Sequence, residues 1–174
     1  MASRTKKSRG NALLEFTLFG IPVIFVLISI FEIARGMWIY HTVAHAVRQG
    51  TRFVIVHGQN CATLPNACQK TVAQIAAVIR DAGVGLVPDD LTVTMSNASG
   101  TTVFNSVGPA LLSAHLTNTT PWPAGSGSAP GNDIVITARY PFRSAVALFW
   151  PGAGRPIIFP TFNLPATSRD RIQF

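Results

Sequence analysis

Arg9-Gly10-Asn11-Ala12-Leu13-Leu14-Glu15-Phe16 is the point at which a basic segment gives way to an apolar one. Arg4, Lys6, Lys7 and Arg9 fall within the first ten residues, and no acid does. From Ala12 to Phe31 the chain is almost wholly apolar, and 20 residues of helix reach about 30 Å, the thickness of a bilayer core. Phe16 to Phe31 carries no charge. A segment with no polar face is buried on every side or spans lipid. Glu15, near its start, is a carboxylate that such surroundings penalise.

Working outward, the cationic start predicts a cytoplasmic N-terminus, since basic residues flanking an apolar span set its orientation. Pro22 lacks the N–H that a helix interior needs, so a bend or loosening is expected there, and Gly20 adds to it. Glu32 and Arg35 are spaced to pair where the helix leaves the membrane. Trp38 and Tyr40 then suit the water interface. No proline interrupts Gly36 to Gly50. Tyr40, Val43, Ala44 and Val47 form an apolar stripe at helical spacing, and His41, His45, Arg48 and Arg52 form a second. One long helix over 11–50 is therefore expected, transmembrane over about 12–34, with Gly50 as its stop.

The chain has 174 residues, 48% hydrophobic and only 12% charged, which points to a membrane-associated or exported protein. The net charge of +7 is concentrated at the start. Basic residues flanking an apolar run are not the folded basic face of a nucleic-acid binder, so no nucleic acid is expected as a partner. In an exported chain the close pair Cys61 and Cys68 reads as a local disulfide, contributing about 2 kcal/mol for so short a loop.

Residues 51–174 read as a small domain, giving an α+β chain with one long N-terminal helix. Phe53 to Val56 is expected as a short β-branched strand. Thr71 to Ala82 is helical and stops at Gly83. Leu91, Val93 and Met95 alternate with polar residues as a half-buried strand. Asn97 to Gly100 reads as a turn, and Thr101 to Asn105 as the returning hairpin partner. Residues 119–132, rich in Pro, Gly and Ser, read as a loop. The alternation from Ile134 to Tyr140 predicts a strand ended by Pro141. The proline-containing tail from Ala145 predicts irregular structure, with one strand near Pro156–Phe159.

Gly10 followed by four residues, then Glu15 and Phe16, fits the processing signature of type IVb prepilins. With Pro22 and Glu32-Ile33-Ala34-Arg35, the stretch from residue 9 to about 52 resembles TadE-like pseudopilins of the tight-adherence (Tad/Flp) pilus system. The strand into Tyr140-Pro141-Phe142 and Leu164-Pro165-Ala166-Thr167 are similar in character. The resemblance implies that a prepilin peptidase removes residues 1–10 by cutting after Gly10, where the missing Cβ lets the scissile backbone approach the peptidase closely. Asn11 would then carry the new amine, and Glu15, one helical turn on, would pair with the amine of a neighbouring subunit. Processing therefore rests on Gly10, Asn11, Glu15 and Phe16, and assembly on Asn11, Glu15 and Pro22.

The same resemblance implies a structural, non-enzymatic pilus component acting in adhesion and biofilm formation. Its partners are other pilins or pseudopilins, the inner-membrane platform of the Tad machinery and the bilayer. It would sit in the bacterial inner membrane, with its C-terminal domain periplasmic before any assembly into an extracellular pilus. Asn11 departs from secretion pseudopilins that begin with an aromatic residue, and the length exceeds that of major Flp pilins, so a minor component fits better.

Other signals lead nowhere chemical. His41 and His45 share a helix face, but Arg48 continues it and repels a cation, so no metal is expected and the face is solvated or touches a subunit. Ser126 and Ser128 match no nucleophile elbow, and the glycine-rich stretches lack the spacing and the Lys-Ser/Thr pair of a phosphate loop. No cofactor is expected. The rival reading is a membrane-anchored periplasmic enzyme or binding module that uses residues 12–31 only as an anchor.

Overall fold

The computed structural model describes residues 9–57, 70–99, 102–144 and 161–173. The fold is α+β, as expected. Helix α1 covers Arg9–Ile55, and α2 covers Val72–Ala82. A hairpin of β1 (Thr92–Ser99) and β2 (Thr102–Leu111) follows, then a single turn α3 (Leu112–His115), β3 (Asp133–Phe142) and β4 (Phe162–Arg171). The strands form one antiparallel sheet in the order β2-β1-β3-β4. The chain divides into two compact units, one holding α1 up to Gly36 and the other running over Met37–Arg143 and taking in β4.

In the second unit, α1 and α2 supply one layer of the core and the sheet the other. Val43, Ala46, Val47 and Val54 of α1 are buried with Val72, Ile75, Ala76 and Ile79 of α2. They cover Val93 and Met95 of β1 and Ile134, Ile136 and Ala138 of β3. Cross-strand partners share a face, so Val93↔Ala138 and Met95↔Ile136 place these residues together, as strand periodicity requires. The other face carries Thr92, Thr94, Ser96, Val135, Thr137 and Arg139 and is half-buried to exposed. Helix α2 begins in a capping box: Gln74 N–H donates to Thr71 Oγ1 at 3.3 Å and Thr71 N–H donates to Gln74 Oε1 at 3.1 Å. Beyond β4, Gln173 N–H donates to the Ile55 carbonyl at 3.1 Å, satisfying a terminal acceptor of α1.

Several sequence expectations are corrected. Phe53–Val56 is not a strand, because α1 continues to Ile55. Val43, Val47, Gly50 and Val54 lie on one buried helix face, and that packing overrides the β preference of Phe53, Val54 and Ile55. Gly50 is accordingly not a stop. It sits inside α1, where a Cβ would come within 2.6 Å of Ile79 Cγ1 and 3.6 Å of Ile136 Cδ1. Its lack of a side chain permits close approach of helix to helix. Asn97 and Ser99 belong to β1 rather than to a turn. Pro141 does not end β3, since the β1 ladder finishes at Thr92↔Arg139 and Pro141 pairs only with Asn163 of β4. The expected strand near Pro156–Phe159 lies outside the described residues, and the strand found in the tail is β4. Pro165 is tolerated there because β4 is an edge strand.

Register in the hairpin is irregular. Val93 faces Ala110 and Met95 faces Val107, so Gly108 and Pro109 together oppose Thr94 in a bulge. Pro109 has no N–H to offer the ladder. His115 Nε2, buried, lies 3.0 Å from the Val93 carbonyl and supplies a donor there. The hydrogen bond assigns the proton of this imidazole to Nε2.

Candidate assembly and processing helix

The first half of α1 has the composition and the surface of a membrane span. Leu13, Leu14, Phe16, Leu18, Phe19, Ile21, Val23 and Ile24 are all exposed, each by more than half. Exposed apolar area of this extent is not stable in water and marks a contact with lipid or another chain. Among the described residues, α1 is the one helix long and apolar enough to cross a membrane.

Its hydroxyls suit hydrocarbon. Thr17 Oγ1 donates to the carbonyls of Leu13 and Leu14 at 3.1 and 3.0 Å. Ser29 Oγ donates to the Phe25 carbonyl at 2.8 Å. Both side chains thus bring their own acceptor from the preceding turn, which is how polar groups are satisfied where no water reaches. Glu15 is different. It is exposed, and no hydrogen bond or ion pair joins it to any described residue. A carboxylate in this position has no partner among the described residues, and an isolated charge in the hydrocarbon region costs a few kcal/mol (~2.5–3.5 for an acid at the centre).

The other positions singled out in the sequence fall along the same helix. Gly10 and Asn11 lie at the N-terminal end of the described part of α1. Phe16 is exposed, and its ring lies 3.7 Å from where a Gly20 Cβ would stand. Pro22 sits inside α1, which runs through it, leaving the Leu18 carbonyl without an intrahelical donor. Glu32 and Arg35 pair at 3.6 Å. Cys61 and Cys68 lie outside the described residues. Among the described residues no group of His, Cys, Asp and Glu is placed to hold a metal.

Fold and helix together define a chain with an N-terminal, membrane-competent α-helix followed by a small α+β domain. Residues 10–52 match the family model of TadE-like proteins. The matched segment starts at the candidate scissile glycine and ends within α1, before the sheet. No curated protein and no solved structure matches the chain significantly.

Proposed function

We propose that this chain is a structural minor pilin or pseudopilin of a Tad-type pilus, matured by a prepilin peptidase that cuts after Gly10. The cytoplasmic leader leaves with its cationic residues, and Asn11 becomes the N-terminus. Glu15 then pairs with the Asn11 amine of a neighbouring subunit inside the bilayer or the filament. The chain crosses the inner membrane once, its sheet domain on the periplasmic side, and it meets the assembly platform and other pilins there. Cys61 and Cys68 close a local disulfide after export. Adhesion and biofilm formation are the cellular outcome.

The observation that carries this reading is the contrast within α1: the Thr17 and Ser29 hydroxyls find acceptors in their own helix, whereas the Glu15 carboxylate meets no donor or cation among the described residues. A buried ion pair broken on one side leaves the other charge uncompensated, at about 3–5 kcal/mol. A cross-subunit pair of that kind fixes the axial register of one helix against the next.

Mass measurement on the full chain recovered from membranes of cells with the complete apparatus tests the proposal. The expected mass begins at Asn11 and is two hydrogens short, for the disulfide. A chain that keeps its leader under those conditions is a tethered domain and not a processed pilin.

A further inference from the structure

The second half of α1 carries a face that the processing and assembly scheme does not use. Between Met37 and Ile55 the helix buries Val43, Ala46, Val47 and Val54 and turns His41, His45, Arg48 and Arg52 outward. These four are exposed and follow one helical stripe over about 16 Å. No acid occurs between Met37 and Ile55.

Elsewhere most of the described arginines meet carboxylates: Arg35 with Glu32, Arg80 with Asp81, Arg143 with Asp90, and both Arg169 and Arg171 with Asp133, while Arg139, exposed on the open face of the sheet, meets none among the described residues. Arg48 and Arg52 meet none among the described residues. Arg52, in the last turn of α1, favours the negative end of the helix dipole, but Arg48 stands too far from that end to share the benefit. A solvated helix face ordinarily mixes both signs of charge. A single-sign stripe along one face is instead complementary to an oppositely charged surface.

We infer that this stripe docks an acidic helix face of a different chain, one presenting Asp or Glu at matching helical spacing. A second copy is disfavoured across this face, because its own stripe would set arginine against arginine. Lipid headgroups are disfavoured by position. With Tyr40 at the water interface only His41 comes near the headgroups; Arg48 and Arg52 stand eight and twelve residues beyond Tyr40, farther than the about five residues of helix that a headgroup layer of about 5–8 Å takes up. The inference rests on the pilus reading and adds to it that the neighbour on this face is of another kind.

The test places a photoreactive benzoylphenylalanine at His45 of the full chain, in cells that carry the complete pilus apparatus. The expected product is an adduct with a different chain, attached within a helix that holds at least two acids at helical spacing. Arg48→Glu with Arg52→Glu lowers the adduct about tenfold or more, and the corresponding Gln pair lowers it less. Replacing the partner's acids with Lys restores the adduct of the Glu variant. An adduct with a second copy, an adduct with lipid, no adduct, or an adduct indifferent to charge reversal each overturns the inference. The unfolding midpoint of the variants is measured alongside, and the Gln pair, which only removes charge at exposed positions, keeps the wild-type value. Cleavage after Gly10 is scored in the same cells, so a fault in the pilus reading shows as an uncut chain and a fault in this inference as a cut chain without the expected neighbour.

Discussion

Gly50 of α1 stands so close to Ile79 of α2 that a methyl group on Gly50 would lie 2.6 Å from Ile79 Cγ1. Ile79 is fully buried and cannot swing away. Gly50→Ala gains up to about 1 kcal/mol in helix preference but overpacks the core at about 1–3 kcal/mol. The net expectation is a loss of up to about 2 kcal/mol, read as a lower denaturant midpoint by tryptophan fluorescence of the full chain in detergent. Combining Gly50→Ala with Ile79→Ala should cost less than the two changes summed, because the second removes the obstructing atoms. A Gly50→Ala chain more stable than wild type by the full helix-preference gain of about 1 kcal/mol would contradict the close contact.

Asp133 is the anchor of the β3–β4 pairing. It accepts hydrogen bonds from Arg169 Nε at 3.1 Å and from Arg171 Nε at 3.2 Å, with Arg169 Nη2 also in contact. The Arg169 hydrogen bond foremost, then Arg171 and the charge of both guanidinium groups, outweigh burial and hold its carboxyl below the usual carboxylate range. The depressed value fixes the sign. The stabilisation is fully present above the ordinary aspartate value of about 3.9 and is lost as pH falls below it through the lowered one. Asp133→Asn should cost about 1–2 kcal/mol at neutral pH, discounted because both arginines are largely exposed, and should flatten the acid limb below about pH 4. Urea unfolding at several pH values distinguishes this from a variant that shifts stability equally at every pH.

His115 donates to β1 beside the bulge in β2. His115→Leu keeps the bulk but removes this donor to the Val93 carbonyl, and loss of such a hydrogen bond costs about 0.5–1.5 kcal/mol. Amide exchange read by mass spectrometry should accelerate in peptides covering β1 and β2 more than in those covering β4. Equal acceleration across the sheet would mean that the imidazole serves general packing only.

Glu15→Ala is expected to leave insertion, cleavage after Gly10 and folding of the sheet domain unchanged while abolishing pili. In the proposed cross-subunit pair, loss of one partner would cost about 3–5 kcal/mol per contact, enough to prevent assembly. Electron microscopy of the cells, with the mass of the membrane-bound chain as control, makes the measurement. Normal piliation would remove Glu15 from the assembly mechanism.

The parts of the fold that declared themselves in sequence were those governed by one local pattern. The uncharged run from Phe16 gave the first half of α1, and the alternations around Val93 and Ile136 gave β1 and β3. Thr71 to Gly83 bounded α2 closely, because cap and stop residues flank it. What stayed hidden depends on partners remote in sequence. Gly50 looks like a terminator until Ile79 is known to lie against it. Phe53, Val54 and Ile55 look like a strand until the core claims the helical face they extend. β4 was obscured by Pro165, whose harmlessness follows from an edge position that no short window reveals. Within the candidate site, the spacing of Gly10 and Glu15 was legible. The self-satisfaction of Thr17 and Ser29, which isolates Glu15, emerged only from the geometry.

The hydrogen bond from Gln173 to the Ile55 carbonyl bears on the order of maturation. Ile55 leaves the ribosome long before Gln173 does, so the final turn of α1 must wait, unfastened, through synthesis of the whole sheet. Closing so long a loop is slow compared with winding a helix. The part of α1 that is made early is therefore secured late.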